Sequence, residues 1–280
     1  MRKFIIIWIG QLISTIGSGL TGFALSIWMY QETGQAAPFV YTALFSSLPV
    51  VMFSLFAGAL VDRLNRRRVM ILADVGAALT TFAIFLLYAN GGLEVWHIYV
   101  SSFLASLFGT FQLPAFNASI TMLVPKEHLT RANGMVQTGA SVEGLLAPVL
   151  AGLLVGLIGV SGMILIDFVT FFVAVGTLSL IRIPQPEVTE EKKAQKILQD
   201  IQQGWKFLSE RPGLVALAGY IGLVNVLATS VLALITPLIL SFSNARILGL
   251  AQMISSLGLL LGGILISSWG GTKRKMTAFI

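Results

Sequence analysis

Long apolar segments that carry no charge dominate this chain and restrict what it can fold into. From Phe4 to Tyr30, and again from Ala36 to Val61, no residue is charged. A helix that crosses a bilayer needs about 20 mostly apolar residues, because lipid offers no partner for backbone N–H and C=O groups. Eight segments reach that length and are predicted to span a membrane: 4–30, 37–61, 69–89, 97–123, 134–158, 160–181, 213–240 and 247–269.

The composition supports the same class. Of the 280 residues, 56% are hydrophobic and 11% are charged, whereas soluble domains carry about 25% charged residues. The first apolar run is much longer than the ~7–15 residues of a signal-peptide core, so we expect it to be retained as a helix. The sequence therefore predicts an all-α polytopic membrane protein.

The positions of Lys and Arg predict how the chain is oriented. Basic residues in short loops are held on the cytoplasmic side of a membrane. When successive loops alternate between sides, 17 of the 18 Lys and Arg residues fall on one side, and Arg246 falls on the other. Both termini of this chain are therefore predicted to face the cytoplasm, in the inner (cell) membrane. The membrane topology and contact with anionic lipid then account for the basic charge, and no nucleic-acid partner is expected.

Residue types that carry catalysis or bind metals are scarce. The chain has no Cys and two His residues, which excludes thiolate chemistry and a histidine-rich metal cluster. Metalloprotease, serine-hydrolase and phosphate-loop motifs are also absent from the sequence. We expect no enzymatic activity, no metal and no cofactor other than a proton gradient.

A charged hairpin separates the second and third predicted spans. It reads Gly58-x-Leu60-x-Asp62-Arg63-x-Asn65-Arg66-Arg67. This pattern resembles the loop motif between the second and third helices of the major facilitator superfamily, a family of transporters.

The resemblance implies roles for the residues of this hairpin. In the family the loop latches the two halves during alternating access, so Gly58, Asp62, Arg63, Arg66 and Arg67 would form a conformational latch. Asn65 stands where the family usually has glycine, and asparagine is the residue that most readily replaces glycine in a left-handed turn.

Asp74, near the cytoplasmic end of the third span, is the sixth predicted member of the latch. We expect it to pair with the arginines of 66–68.

A faint repeat at a shift of 206 positions overlays the first two spans on the last two. Parallel repeats are a known construction of secondary transporters. We therefore expect a complete six-helix half at 1–181, a cytoplasmic linker with an amphipathic helix at 182–212, and the first two helices of a second half at 213–280. The chain is expected to be C-terminally incomplete, and the second hairpin copy, at 269–274, lacks the acid.

The fifth predicted span is rich in small residues and contains a proline. Small residues allow close helix packing, and a proline inside a helix permits bending. The pattern resembles the glycine- and proline-bearing motif of the antiporter members of the superfamily. The residues assigned to it are Gly134, Ala147, Pro148, Ala151 and Gly152.

Ionisable and amide side chains inside the spans are the candidates for coupling and binding. Glu143 lies about 14 Å into the fifth span, where a charge is costly and a carboxyl group can take up and release a proton. Asp167 is the second proton-coupling candidate. Gln11, Gln112 and Asn225 could touch substrate, with hydrogen bonding between helices as the alternative.

Further features resemble one exporter branch of the superfamily. They are a Pro114-bearing fourth span without charge, Asn133-Gly134 and Asp167, and the branch includes macrolide efflux and enterobactin export proteins. The expected function is proton-coupled efflux of small amphipathic compounds by alternating access, by a chain that acts as a monomer when full length. The alternatives are a siderophore exporter, an importer of the same fold, and a truncated membrane protein that does not transport.

Overall fold

The computed structural model describes residues 1–184 and 209–269, and within these ranges the regular structure is helical. The helices are α1 (Arg2–Thr33), α2 (Ala37–Val61), α3 (Arg66–Ala89), α4 (Val95–Leu123), α5 (Leu129–Leu180), α6 (Pro212–Phe242) and α7 (Ala245–Trp269). A short 3-10 turn, Lys126–His128, precedes α5. The all-α prediction is confirmed. The predicted linker helix and the second hairpin copy lie largely outside the described residues.

The helix α5 contains two of the predicted spans. It is 52 residues long and bends at Gly159, where φ is 66° and ψ is −177°. Positive φ is readily adopted by glycine, which has no Cβ to clash with the backbone. The two limbs, 129–158 and 160–180, match the predicted fifth and sixth spans. In the described part of the chain six helices, α1 to α6, are long and apolar enough to cross a membrane, so the count of eight spans stays a prediction.

Local signals set the helix boundaries. The helix α1 ends at Gly34, whose φ of 60° lets its N–H bond the carbonyl of Tyr30. The helix α4 begins with a capping box, in which the Glu94 side chain and the His97 side chain each pair with the other's backbone N–H. These caps satisfy backbone groups that a helix end leaves unpaired.

The helix α1 packs between the two limbs of α5. Gly10 and Gly17 face Thr177 and Thr170 of the second limb, with no room for a side chain on either glycine. On the first limb, Gly139 contacts the indole of Trp8 of α1. Because Gly10 and Gly17 of α1 and Gly139 of α5 have no side chain at these contacts, the helices approach closely, as is common in membrane bundles.

The first limb of α5 also packs against α7. Pro148 has no N–H, so the carbonyl of Gly144, four residues earlier, loses its normal helical donor. Ser256 Oγ of α7 donates to that carbonyl at 2.7 Å. Further along the same two helices, a Cβ on Gly249 would lie 3.4 Å from the Cα of Gly152. The proline motif of α5 therefore forms a close contact between residues 129–158 and α7.

An apolar cluster lies at the end of the bundle at which α1 ends and α2 begins. Its buried members come from α1, α2, α3, α4, both limbs of α5, and α7, and include Met29, Phe39, Ile84, Met163 and Leu248. The cluster joins helices from both predicted halves. The helices are therefore packed together by apolar contacts at the end that the Lys and Arg distribution predicts to face outward.

The tight contact at Gly17 leads to a stability prediction with a matched control. A Cβ on Gly17 would clash with Thr170 Oγ1 and lie 3.1 Å from the Cα of Asp167, whereas a Cβ on Gly22 of the same helix would meet nothing within 4 Å. We expect Gly17→Ala to lower the free energy of unfolding by about 1–3 kcal/mol, the usual cost of overpacking. Gly22→Ala should be neutral or raise it by about 0.4–1 kcal/mol.

Denaturant titration in mixed micelles measures both variants. Equal stabilities for the two alanine variants would contradict the close packing of α1 on α5.

Candidate functional site

Two arginines of the 58–68 hairpin bind backbone carbonyls of neighbouring helices. Arg67 donates from Nε to the carbonyl of Leu178 at 2.7 Å and from Nη2 to that of Ser179 at 2.6 Å. Arg66, which is buried, donates from Nη1 to the carbonyl of Ala118 at 3.0 Å. Leu178 and Ser179 are in the last turn of α5, where carbonyls lack internal partners and carry partial negative charge, so the guanidinium of Arg67 is stabilising there. These bonds join the start of α3 to α4 and α5.

The structure places the other members of the predicted latch as follows. Gly58 lies in the last turn of α2, and Asp62 is exposed at the C-cap of that helix. Arg63 follows it in the hairpin. The interpretation of Asn65 as a left-handed turn residue is wrong: its φ is −68° and ψ is 106°, and its side chain accepts a bond from the N–H of Arg68 at 3.1 Å. Asn65 is the N-cap of α3.

The expected pairing of Asp74 with the arginines is also wrong. Asp74 is 1% exposed and faces α1 and α4. Gln11 Nε2 donates to Asp74 Oδ2 at 2.9 Å, and Gln112 Nε2 donates both to Asp74 Oδ1 and to Gln11 Oε1. Asp74 lies more than two helical turns from Arg66, on the face of α3 that points into the bundle, so the two glutamines reach it instead. The three side chains form a closed hydrogen-bonded group.

A second buried carboxylate lies among hydroxyl groups. Asp167, in the second limb of α5, is 1% exposed. Ser18 Oγ donates to its Oδ1 at 3.0 Å, and Thr81 Oγ1 donates to its Oδ2 at 3.4 Å. Thr21 lies next to the same carboxylate. Asp167 thus links α1, α3 and α5.

Both carboxylates line one polar cavity of about 280 Å³ between α1, α3, α4 and the second limb of α5. Hydroxyl groups form much of its wall, and Phe108 and Phe171 supply aromatic surface. Among the described residues that line it, none is Lys, Arg or His. The cavity is therefore a place where positive or hydrogen-bonding groups of a ligand would find partners.

A second cavity, of about 290 Å³, adjoins the first and contains Glu143. It lies between α1, α4 and the first limb of α5, and its walls are mostly apolar, with Trp8, Leu113 and Phe116 among them. Glu143 is half-buried midway along residues 129–158, and the side chain of Thr15 faces it. The midpoint position agrees with the depth expected from the sequence.

The two cavities share a wall that includes the predicted binding residues Gln11 and Gln112. Glu143 and Asp167, the two coupling candidates, lie in different cavities. Asn225 is in α6, and the position of its side chain is outside the described part of the structure. The residues of the antiporter-like motif are all in the first limb of α5, with Gly152 and Pro148 against α7 and Ala147 and Ala151 buried.

A polar stripe along α1 is the feature that the sequence reasoning did not use. Ser14, Thr15, Ser18 and Thr21 follow Gln11 at helical spacing and all line the polar cavity. The signal was present in the sequence, since polar residues at i, i+3, i+4 and i+7 mark one face of a helix. In an otherwise apolar span, such a face predicts the lining of a cavity.

Comparison with known proteins assigns the chain to a class. Residues 7–280 match the family model described as Major Facilitator Superfamily. The chain therefore belongs to this superfamily of transporters. This match confirms the resemblance seen at the 58–68 hairpin and the expectation that the protein is not an enzyme.

Curated relatives narrow the similarity to efflux proteins. Macrolide efflux protein A of Streptococcus pyogenes is 29% identical over 279 residues, which cover 98% of this chain and 68% of the relative. Macrolide efflux protein A of Enterococcus faecalis is 28% identical, over 84% of this chain and 73% of the relative. The multidrug efflux pump Tap of Mycolicibacterium fortuitum is 26% identical, over 80% and 56%.

A solved structure confirms the fold. A bacterial homologue of the human lysosomal transporter Spinster, in an inward-facing and unoccupied conformation, superposes with a TM-score of 0.65 at 16% identity. The match covers 96% of this chain, and the chain spans 62% of that structure. The chain is thus a multi-pass membrane protein with the major facilitator fold.

Proposed function

We propose that this chain mediates proton-coupled efflux of small amphipathic compounds by alternating access. The observation that carries the proposal is the pair of adjoining cavities, one apolar with Glu143 and one polar with Asp74 and Asp167. An amphipathic molecule needs both kinds of wall. The efflux relatives, two of them named for macrolides, support the same direction and substrate class.

The apolar cavity suits the bulky apolar part of a substrate. Trp8, Leu12, Leu113, Phe116 and Val136 surround it, and binding sites for drug-like molecules are usually lined in this way. The shared wall of Gln11 and Gln112 offers amide donors and acceptors to polar groups of the same molecule. Substrate would then lie across this wall.

Glu143 is the proposed coupling group. It is a carboxyl midway along a membrane-spanning limb, in a mostly apolar cavity, and the facing Thr15 is its polar neighbour. A charged carboxylate at such a depth is costly. The carboxyl group would therefore hold either a proton or a bound substrate, and would exchange one for the other. The proton gradient is the proposed energy source, without a further cofactor.

In the proposed alternating access, residues 1–181 would move relative to residues 213–280 about the contact between α5 and α7. The apolar cluster would close the outward end of the bundle in one conformation, and the hairpin latch would act at the opposite end. We propose the division into residues 1–181, the linker 182–212 and residues 213–280, with both termini of this chain in the cytoplasm of the cell. A functional monomer in the inner membrane is part of the proposal.

Accumulation of a macrolide and of a fluorescent amphipathic dye tests this function. Cells that express the protein should accumulate less of each compound than cells with an empty vector. A protonophore should remove the difference, because it dissipates the gradient that drives export. Higher accumulation in the expressing cells would indicate import instead, and a difference that survives the protonophore would contradict proton coupling.

A further inference from the structure

We propose that Asp167 and the hydroxyls of Ser18, Thr21 and Thr81 form a binding site for a monovalent alkali cation, with Na⁺ as the best fit. The site lies in the polar cavity and joins α1, α3 and the second limb of α5. It goes beyond the proposed proton coupling, which rests on Glu143 in the other cavity.

The first observation is a buried carboxylate without a cationic partner. Asp167 is 1% exposed, and both of its oxygens accept bonds from hydroxyls. In the described part of the cavity wall no Lys, Arg or His faces it. A buried anion is costly unless it is paired with a positive charge or coordinates a metal ion. A bound cation would supply the missing charge.

The second observation is the hydroxyl of Thr21. Thr21 is 8% exposed, and its buried Oγ1 makes no hydrogen bond of normal geometry within the described structure. It lies beside the Asp167 carboxylate and lines the same cavity. Buried hydroxyls nearly always have a partner, so an orphaned one calls for an explanation. As a cation ligand, this oxygen would be satisfied.

The type and spacing of the oxygens indicate which cation would fit. Hard cations prefer oxygen ligands, and the adjacent oxygens here are 3.0 and 3.4 Å apart. Such spacing is that of neighbouring ligands around an ion with metal–oxygen distances of about 2.4 Å. A single carboxylate balances a single positive charge, which favours a monovalent ion. Ser18 is exposed to the cavity and leaves a side open for entry.

Asp74, in the same cavity, does not offer an equivalent site. Its two oxygens accept bonds from the amide nitrogens of Gln11 and Gln112, which cannot ligate a hard cation, whereas the hydroxyl oxygens that bond Asp167 can. No orphaned oxygen lies beside it in the described residues. The cation site is therefore assigned to Asp167.

Thermal unfolding of the purified chain in detergent tests the site without a transport assay. A ligand that binds the folded state raises its stability, so NaCl should raise the unfolding midpoint by about 3 °C or more over choline chloride at equal ionic strength. KCl should have a smaller effect. An equal rise with choline would identify an organic ammonium site instead and would overturn the proposal, as would no response to Na⁺.

Variants test whether the effect of Na⁺ on the unfolding midpoint arises at this site. Asp167→Asn should abolish it, and Thr21→Val, which keeps the shape of threonine, should raise the Na⁺ concentration for half effect about tenfold or more. Thr110→Val is the matched control, because Thr110 is also 8% exposed but bonds a carbonyl of its own helix, Ser106 O, at 2.8 Å.

A full Na⁺ response in Thr21→Val would contradict the assignment even if Asp167→Asn fails to fold. Glu143→Gln should keep the response, so the outcome for the cation site and the outcome for proton coupling are decided separately.

Discussion

Replacing Glu143 with glutamine should abolish substrate-driven proton movement while the protein still folds. Glutamine keeps the size and hydrogen-bonding ability of the side chain but cannot take up or release a proton. Because Glu143 is half-buried in a mostly apolar cavity, the neutral amide should be tolerated there better than the charged carboxylate. Substrate binding should therefore persist without coupling.

Proteoliposomes with a trapped pH-sensitive dye provide the measurement. On addition of a substrate, the wild type should change the internal pH, and Glu143→Gln should give the background of protein-free liposomes. Glu32→Gln is the matched control, since Glu32 is exposed near the end of α1 and should leave the signal unchanged. A normal signal from Glu143→Gln would rule out this residue as the coupling group.

Replacing Asp74 with leucine should be the most destabilising of the substitutions considered. The change removes the acceptor of two amide bonds and leaves Gln11 and Gln112 with unpaired N–H groups inside the bundle. Hydrogen bonds to charged groups contribute about 1.5–3 kcal/mol each, so we expect a loss of about 3 kcal/mol or more in the free energy of unfolding. Denaturant titration in mixed micelles measures it.

Asp74→Asn separates the loss of hydrogen bonds from the loss of charge. Three amides can pair head to tail, each donating one N–H to the next oxygen, so the asparagine variant should retain much of the stability lost in the leucine variant. Asp62→Leu, at an exposed position, should change the stability by no more than about 0.5 kcal/mol. A leucine variant at Asp74 as stable as the wild type would show that the hydrogen-bonded group is not structural.

Several elements could be predicted from the sequence because their causes are local. The break between the fifth and sixth spans falls at Gly159, and the midpoint position of Glu143 follows from the length of its segment. The polar face of α1 could also have been read from the spacing of Ser14, Thr15 and Ser18. In each case the signal is a pattern along one helix.

The partners of Asp74 could not be predicted in the same way. The arginines of 66–68 are its nearest charges along the chain, and this proximity led to the wrong pairing. Which residues meet Asp74 depends on how α1 and α4 are rotated about their axes. That rotation is set by packing at glycines such as Gly17, whose contact is with Thr170 on a distant segment. Asn65, by contrast, caps α3 through a bond to the N–H of Arg68, three residues further along the chain, which is a local signal.

The sequence by itself determined the class of the protein and its predicted spans, because lipid forces each span to satisfy its own backbone with a run of apolar residues. The hairpin at 58–68 identified the family in the same local way. The tertiary structure decided which polar side chains meet: Gln11, Asp74 and Gln112 in one group, and Ser18, Thr81 and Asp167 in the other. These groups join residues far apart in the chain, and the close packing of the helices brings them together.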